Sequence, residues 1–295
     1  MRHVICCGAR VSRRLLLGFL LSCLVRERGS GGGAVLAASL QRELIAAVEV
    51  ESGLAPPLTL GIAQVVLRPG AAVSALIPRG ARMIAVESGM LAISVTSAAD
   101  EALTSREFSL LAPEPDVRDE LFVPAGTAIT FGSRGVTAVR NPGARSVVVL
   151  EAVVYPEEPR PIARAFTTDD GVSFQLLASA SAAAAPTGRV AVTLERVRLG
   201  PGAELPQDLS AGVTLTRIDA GTVALRPTTG EVFAARAAAS APYSMPGSLA
   251  PIAAGLVREV TAGGVIFLPL GASAAIANAL QRAADLMTLA VRELD

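Results

Sequence analysis

The repeated stretches LRPGA at residues 67–71 and LGPGA at residues 199–203 give the first indication of how this chain folds. They lie 132 residues apart, and the same offset joins SGMLA at 88–92 to AGTVA at 220–224. A constant offset between separate pairs indicates that one segment of sequence occurs twice. The chain is therefore predicted to contain two homologous domains in tandem.

A third pair of matching stretches extends the repeat toward the carboxyl terminus. Residues 125–141 match residues 262–278 with an offset of 137, so the second copy has gained five residues between its blocks. The segment between the two copies, at 155–162, is rich in proline, which is typical of a domain boundary. We expect one domain over residues 41–157 and a second over residues 163–295.

Within each copy, short apolar stretches alternate with glycine and proline. Residues 61–67, 90–95 and 146–154 are rich in β-branched side chains, have the length of strands and are bounded by turn residues. Many short strands at this spacing predict an all-β sandwich or barrel. The alanine-rich stretch 178–185 is predicted to be a loop insertion. The acidic, proline-containing stretch 100–120 is predicted to be a solvated loop between strands.

Composition excludes several classes of function. Of the 295 residues, 51% are hydrophobic and 18% are charged, which is enough apolar surface for a sizeable core. All 26 basic residues are arginine and 26 acids balance them, whereas a nucleic-acid-binding protein needs a basic surface. The one histidine is His3, and the cysteines are Cys6, Cys7 and Cys23. Beyond residue 23 the chain therefore has no residues for a His or Cys triad, a zinc site or a disulfide.

The amino terminus has the pattern of an export signal. Residues 1–14 carry four arginines and no acid, and residues 15–25 form an uncharged, mostly apolar run. This order is typical of a signal peptide, and the run is too short for a spanning helix, which needs roughly 20 apolar residues. Small residues suited to cleavage lie just before position 38. We expect a leader over residues 1–37 and an extracytoplasmic protein.

Two details leave the nature of this leader open. The stretch LLSC at residues 20–23 resembles a lipoprotein acceptor site, in which Cys23 would carry a lipid and tether the protein to a membrane. Arg26 and Arg28 follow the apolar run directly, where positive charge opposes translocation. A cleaved leader, a lipid anchor and a misassigned start codon are the alternatives.

The spacing of the repeated glycines resembles the cupin family, small β-barrels made of two sheets that often occur as fused pairs. Gly70 and Gly89 are separated as the glycines of the family's first motif are, and the second copy repeats this with Gly202 and Gly221. The resemblance covers roughly residues 41–295 and is closest to exported bacterial members. It implies two tandem cupin-type double-stranded β-helix (jelly-roll) barrels.

The family's second motif is also present, more completely in the second copy. That copy has Gly263, Pro269, Gly271 and Asn278 at the motif positions, listed in order of sequence. The first copy keeps Gly126 and Asn141 but has Gly132 and Arg134 in place of proline and glycine. Asn141 and Asn278 are expected in turns before the last strand, where an asparagine side chain satisfies local backbone groups.

The metal-binding positions of the family hold none of its usual ligands in this chain. Mapped in order, they are occupied by Leu76, Pro78, Arg82 and Thr137 in the first copy and by Asp208, Ser210, Thr214 and Ala274 in the second. Leucine, proline and alanine have no donor atom, and a guanidinium repels a cation. The resemblance therefore implies neither a metal nor another cofactor, and no family activity can be transferred.

The same positions supply the candidate ligand-binding residues, which are Arg82, Thr137, Asp208, Ser210 and Thr214. An arginine pointing into an apolar barrel is costly unless it is paired. Arg82 is therefore expected either to anchor a carboxylate or phosphate of a ligand, or to pair with a neighbouring acid or extend to the rim. The three polar residues of the second copy either bind a hard cation or form a hydrogen-bonded wall.

The leading interpretation is an exported, metal-free bicupin without catalytic activity that serves as a small-molecule-binding or structural module. A small apolar or carboxylate-bearing ligand is the expected partner, and the family resemblance implies a homodimer. The alternative is a metal-independent enzyme with Asp208 or Glu87 as its base and Arg82 as an electrostatic stabiliser. A third possibility is a pair of barrels filled by side chains, with no cavity above about 300 Å³.

Overall fold

The computed structural model describes residues 4–6, 39–50, 54–77, 80–97, 120–131, 135–156, 171–205, 212–236 and 248–294. Within these ranges the regular structure consists of 21 β-strands and no α-helix, which confirms the predicted all-β class. None of the described residues belongs to a helix long and apolar enough to cross a membrane.

The first half of the chain contributes ten strands. They are β1 (Val4–Cys6), β2 (Leu40–Val50), β3 (Leu58–Leu67), β4 (Ala72–Ile77), β5 (Ala81–Ser88), β6 (Met90–Ser97), β7 (Leu121–Pro124), β8 (Ala128–Phe131), β9 (Gly135–Arg140) and β10 (Val147–Tyr155). The predicted strands within 61–67, 90–95 and 146–154 are thus confirmed as parts of β3, β6 and β10.

The second half contributes eleven strands. They are β11 (Val172–Ala182), β12 (Val190–Leu199), β13 (Glu204–Leu205), β14 (Gly212–Ala220), β15 (Thr222–Thr229), β16 (Val232–Ala235), β17 (Ala250–Ile252), β18 (Arg258–Thr261), β19 (Val265–Leu268), β20 (Ser273–Ala277) and β21 (Ala284–Glu293).

The strands form two barrels, each made of a long and a short sheet. In barrel 1 the long sheet has the order β1-β8-β5-β10-β3-β11 and the short sheet the order β4-β9-β6-β7. In barrel 2 the long sheet has the order β17-β16-β19-β14-β21-β12-β2 and the short sheet the order β13-β20-β15-β18. The order of strands matches between the barrels where the sequence repeats, as expected for a duplicated domain.

The first long strand of each half belongs to the barrel of the other half. β2 pairs with β12 at the edge of barrel 2, and β11 pairs with β3 at the edge of barrel 1. The registers are equivalent, since Leu40 lies opposite Leu199 and Val172 lies opposite Leu67. Both pairings also contain a bulge at the same place. Each of the predicted domain ranges, 41–157 and 163–295, therefore contains one strand that belongs to the barrel of the other range.

The prediction of a loop insertion at 178–185 is wrong for residues 178–182, which form the end of β11. The sequence ASASA alternates between a buried and a more exposed face, and Ala178, Ala180 and Ala182 pack in the core between the barrels. The alternation is weak in the sequence because both faces carry small side chains. Alanine and serine differ much less in hydrophobicity than, for example, valine and lysine do.

The two long sheets pack against each other, so most of their strands are buried on both faces. On β5, Ala81, Met83 and Ala85 face the core between the barrels, while Ile84 and Val86 face the core inside barrel 1. Barrel 2 has its own interior core. Burial on both faces explains why β3 and β10 are almost continuous apolar runs rather than alternating ones.

An asparagine joins the two sequence motifs in each copy, which confirms the predicted turn role. The side-chain amide of Asn141 donates to the carbonyl oxygens of Leu67 at 2.9 Å and Arg145 at 2.8 Å. Its Oδ1 accepts from the backbone N–H of Gly143 at 2.9 Å. Asn278 makes the equivalent hydrogen bonds in the second copy, and both side chains are fully buried.

Only a small part of the predicted leader lies in the described residues. β1 runs parallel to β8, with Val4 opposite Ala128, at the edge of the long sheet of barrel 1. Cys23 and most of residues 1–37 fall outside the described ranges. Export and lipidation therefore remain predictions.

The exchange of β2 and β11 predicts that the two halves stay together when the chain is cut between them. A specific protease site placed between β10 and β11 leaves each half with a strand that belongs to the sheet of the other. After cleavage of the full chain, we expect both fragments to co-elute as one species on size-exclusion chromatography and to separate only in denaturant. Fragments that elute separately in native buffer would contradict the exchanged arrangement.

Candidate ligand site in barrel 1

Arg82 points into the interior of barrel 1. It lies on β5 between Ala81 and Met83, whose side chains face the core between the barrels, so the strand alternation directs Arg82 to the opposite face. The residue is only 3% exposed. A cation at this depth needs partners within the barrel.

The partner of Arg82 is Glu151 on the adjacent strand β10. Nε of Arg82 donates to Oε1 of Glu151 at 2.6 Å, and both side chains are largely buried. Of the roles considered for Arg82, the structure therefore shows pairing with a neighbouring acid. The pairing is incomplete, because Nη1 of Arg82 is buried and has no hydrogen-bond partner in the described part of the chain.

A small cavity lies next to Glu151, and Arg82 is not among the residues that line it. Its volume is about 10 Å³, and it is lined by Gly61, Ala63, Glu151, Val153, Phe174 and Leu176. A cavity of this size holds about one water molecule. Phe174 and Leu176 come from the exchanged strand β11 and are half-buried, so they form the side of the cavity nearest to solvent.

The equivalent region of barrel 2 is occupied by larger and polar side chains. Thr193 and Glu195 stand 132 residues after Gly61 and Ala63, and Arg42 on the exchanged strand β2 takes the place of Phe174. Arg42 donates to Oε2 of Glu195 from Nε at 2.9 Å and from Nη2 at 2.5 Å. The two copies thus carry an arginine–glutamate pair on different strands, and in barrel 2 the glutamate is buried whereas the arginine is about one-third exposed. Thr193 and Glu195 are larger than Gly61 and Ala63, whose places they take.

The other predicted site residues fall into three groups. Thr214 occupies the position of Arg82 in barrel 2, where its hydroxyl is buried and has no hydrogen-bond partner among the described residues. Thr137 lies on β9 opposite Ala75 and Val95, and only its backbone is described. Asp208 and Ser210 lie outside the described residues.

Solved structures with the same kind of fold are similar to this chain at low identity. AerE from Microcystis aeruginosa is 11% identical, with a TM-score of 0.42, and the match covers 82% of this chain and 100% of that one. A cupin 2 conserved barrel domain protein from Leptotrichia buccalis is 11% identical, with a TM-score of 0.35 and coverage of 85% and 91%. Vicilin from Corylus avellana is 11% identical, with a TM-score of 0.39 and coverage of 80% and 75%.

The two tandem barrels, each made of a long and a short sheet, agree with the fold that the cupin resemblance predicts. At this level of identity the likeness concerns the fold and not what these proteins do. No protein-family model matches the sequence, and no curated protein matches it.

The residues at the cupin metal positions do not fit a divalent cation. In barrel 1, Arg82 brings a positive charge to the position of a carboxylate ligand and is paired with Glu151. In barrel 2, Thr214 offers one hydroxyl and Ala274 is an apolar core residue. Hydroxyl, methyl and guanidinium groups do not make a metal centre, which needs several imidazole, thiolate or carboxylate ligands. Among the described residues, no three His, Cys, Asp or Glu side chains form a group suited to a metal ion.

The structure does not bring Glu87 to Arg82, as the enzyme alternative requires. Both lie on β5, but they are five positions apart, which is roughly 16 Å along a strand. Glu87 is near the exposed end of β5 and forms an ion pair with Arg196 of β12, across the contact between the two barrels. It therefore links the barrels rather than facing the interior of barrel 1.

A second ion pair lies close to this contact. Arg217 donates to Oδ1 of Asp219 at 2.6 Å. The pKa of Asp219 is raised above its ordinary value, mainly because burial disfavours the charged carboxylate; Arg217 and Arg196 oppose the shift, and Glu87 adds to it. This carboxyl group belongs to the contact between the barrels and not to the cavity of barrel 1.

Two acids that matter in the structure were missed or misplaced by sequence reasoning. Glu151 was not identified as the partner of Arg82, although it is the one charged residue in the apolar strand 146–154, a signal that an interior partner is required. Glu120 was expected in a solvated loop, but its side chain is buried and pairs with Arg140 at 2.6 Å. The rest of the acidic stretch lies outside the described residues.

The ion pair in barrel 1 predicts a strong effect of removing one partner. Arg82→Met leaves the buried carboxylate of Glu151 without its cation, and we expect a loss of about 3 kcal/mol in the free energy of unfolding. The double variant Arg82→Met/Glu151→Leu should lose less than the two single variants together, since no charge is then left unpaired.

Arg189→Met is the matched control, because Arg189 forms an exposed ion pair with Glu49 at 2.7 Å. It should cost less than about 1 kcal/mol. Denaturant titration of the four variants measures these differences. Equal losses for Arg82→Met and Arg189→Met would contradict the interior position of the Arg82 pair.

The raised pKa of Asp219 predicts a pH-dependent effect of Asp219→Asn. The folded state binds the proton more tightly than the unfolded state, whose aspartate titrates near 3.8, so the contribution of Asp219 to stability is lost as pH rises from that value through the folded pKa. We expect the Tm of Asp219→Asn relative to the wild type to increase from pH 3 to pH 7. A constant difference, or one of opposite slope, would show that the folded pKa is not raised.

Proposed function

We propose that the protein is a metal-free bicupin that acts as a binding and structural module without catalysing a reaction, with barrel 1 as its binding barrel and barrel 2 as its structural one. The observation that carries this proposal is the buried Arg82–Glu151 ion pair inside barrel 1, in which Nη1 of Arg82 has no hydrogen-bond partner among the described residues. A buried donor without a partner costs about 1–3 kcal/mol, and a bound molecule with an acceptor removes that cost.

The charges in barrel 1 support binding over catalysis. Glu151 accepts a hydrogen bond from Nε of Arg82 at 2.6 Å, so its Oε1 is already engaged within the barrel. Glu87, the described candidate base, pairs with Arg196 at the contact between the barrels. A general base must lie within hydrogen-bond reach of the proton that it removes.

A purely structural role is the second candidate, and the size of the cavity favours it. Pockets for drug-sized ligands have volumes of about 300–1,000 Å³. The cavity beside Glu151 measures about 10 Å³, so a guest larger than water has to displace side chains or leave part of itself outside. On this proposal the function of the barrels would be to present their outer surfaces.

The place of action proposed here is extracytoplasmic, and it rests on the leader pattern of residues 1–37 alone. A lipid at Cys23 and a homodimer are further proposals, the first from the sequence LLSC and the second from the family resemblance. Each changes the mass of the mature protein in a different way, so one measurement addresses all of them.

Native mass spectrometry of the protein expressed from the full gene sequence in a bacterial host tests this proposal. We expect a species without a stoichiometric divalent metal, because the residues at the metal positions cannot hold one. Loss of residues 1–37, a lipid adduct or a doubled mass would identify cleavage, lipidation or a dimer. One divalent metal per barrel, retained through purification and confirmed by elemental analysis, would overturn the metal-free assignment.

A further inference from the structure

We propose that the outer edge of β8 is a strand-accepting site, which β1 occupies in the full chain and which binds an extended apolar peptide once the leader has been removed. The site lies at one edge of the long sheet of barrel 1, and β11 lies at the opposite edge. The inference goes beyond the proposed function and does not depend on a ligand inside barrel 1.

The backbone groups of β8 are divided between the two sides of the strand. β8 runs antiparallel to β5, and the N–H of Val86 donates to the carbonyl oxygen of Thr127 at 2.9 Å. Hydrogen-bonded positions alternate along an antiparallel pair, so Ile129 bonds to β5 as well. The N–H and C=O groups of Ala128 and Thr130 then point to the other side, where they form the edge of the sheet.

This edge is covered by β1, which belongs to the predicted leader. Ile5 lies opposite Ile129 in a parallel pair. A residue in a parallel ladder bonds to the two residues that flank its opposite partner, so the N–H of Ile5 faces the carbonyl of Ala128 and its carbonyl faces the N–H of Thr130. No other strand of the described ranges lies on this side of β8. Removal of the leader would therefore expose these backbone groups.

Barrel 2 shows what kind of strand this position takes. Its strand β19 corresponds to β8 by the offset of 137, and there Val265 and Phe267 lie opposite Ala235 and Phe233 of β16. β16 has the apolar sequence VFAA, and three of its four side chains are buried. In barrel 2 a strand of the same half thus covers the edge that a leader strand covers in barrel 1. The strand that β8 accepts is expected to be apolar as well.

β8 lacks the features that protect sheet edges from pairing with other segments. Charged side chains and prolines are common forms of this protection. The two outermost strands of the long sheet of barrel 2 have them, since β17 contains Pro251 and β2 carries Arg42, Glu43 and Glu49. β8 has the sequence AITF, and all four of its side chains are buried. An edge of this kind can bind an extended peptide through main-chain hydrogen bonds, and the sequence VIC of β1 is such a segment.

Amide hydrogen exchange on the full-length protein tests whether β1 covers the edge. Ile5→Pro removes the N–H that faces β8, whereas Val4→Pro, the matched control, removes an N–H that points away from β8. We expect the N–H groups of Ala128 and Thr130 to exchange at least about tenfold faster in Ile5→Pro than in the wild type or the control. Exchange at Ile129, which bonds to β5, should be unchanged. Equal exchange at the two edge positions in Ile5→Pro and the wild type would overturn the proposal.

A labelled peptide of residues 1–10 tests whether the edge accepts a strand from outside the chain. The full-length protein is purified with a specific protease site between residues 37 and 38 and is cleaved after it has folded. Fluorescence anisotropy in reducing buffer should then show saturable binding of the peptide. N-methylation of Ile5 in the peptide should weaken binding at least about tenfold, because it removes the donor that faces Ala128. N-methylation of Val4, the matched control, should have little effect.

The peptide test needs no variant of the protein and separates the possible occupants of the edge. Absence of saturable binding, or equal affinity of the two methylated peptides, would overturn the proposal. Self-association of the cleaved protein that excludes the peptide would assign the edge to a second copy of the chain, and this would overturn the proposal too. None of these outcomes affects the metal-free assignment, which is tested by mass and metal content.

Discussion

Burial of the two long sheets against each other is the constraint on which the rest of this structure depends. Each long sheet covers the core of its own barrel on one face and the shared core on the other. Water is excluded from both faces, so the strands must be apolar along nearly their whole length. The exchange of β2 and β11 strengthens this arrangement, because each barrel is completed by a strand from the other half of the chain.

The same constraint governs the charged residues. A charge on the inner face of a long sheet cannot reach solvent through the sheet and must be neutralised within the barrel. Barrel 1 meets this requirement with Arg82 on β5 and Glu151 on β10, and barrel 2 with Arg42 on β2 and Glu195 on β12. Both barrels therefore neutralise the charge on the inner face, but the two ion pairs lie on different strands. As a result, side chains fill the two interiors differently.

Features of the fold that depend on a single residue could be predicted from the sequence. Features that depend on a pair of residues far apart in the chain could not. Glycine at Gly70, with a φ of 76°, and asparagine at Asn141 each meet a local backbone requirement, so their spacing revealed the repeat and the barrel type. The partner of Arg82 lies 69 residues away, and the exchange of strands is a choice between equally apolar edges. Neither the ion pair nor the strand exchange leaves a local pattern in the sequence. The strand at 178–182 was missed because alanine and serine give a weak alternation.

The presence of Arg82 is itself an argument about function. Apolar side chains of similar volume would fill barrel 1 without the cost of desolvating two charges, and replacing buried ion pairs in this way is often neutral or stabilising. The pair is also not fully satisfied, since Nη1 of Arg82 lacks a partner among the described residues, and a water-sized space remains next to Glu151. Stability alone would favour larger side chains at this place, such as Thr193 and Glu195 of barrel 2. A buried ion pair with an unsatisfied donor is therefore not explained by packing alone, and this is the reason for proposing that barrel 1 binds a molecule.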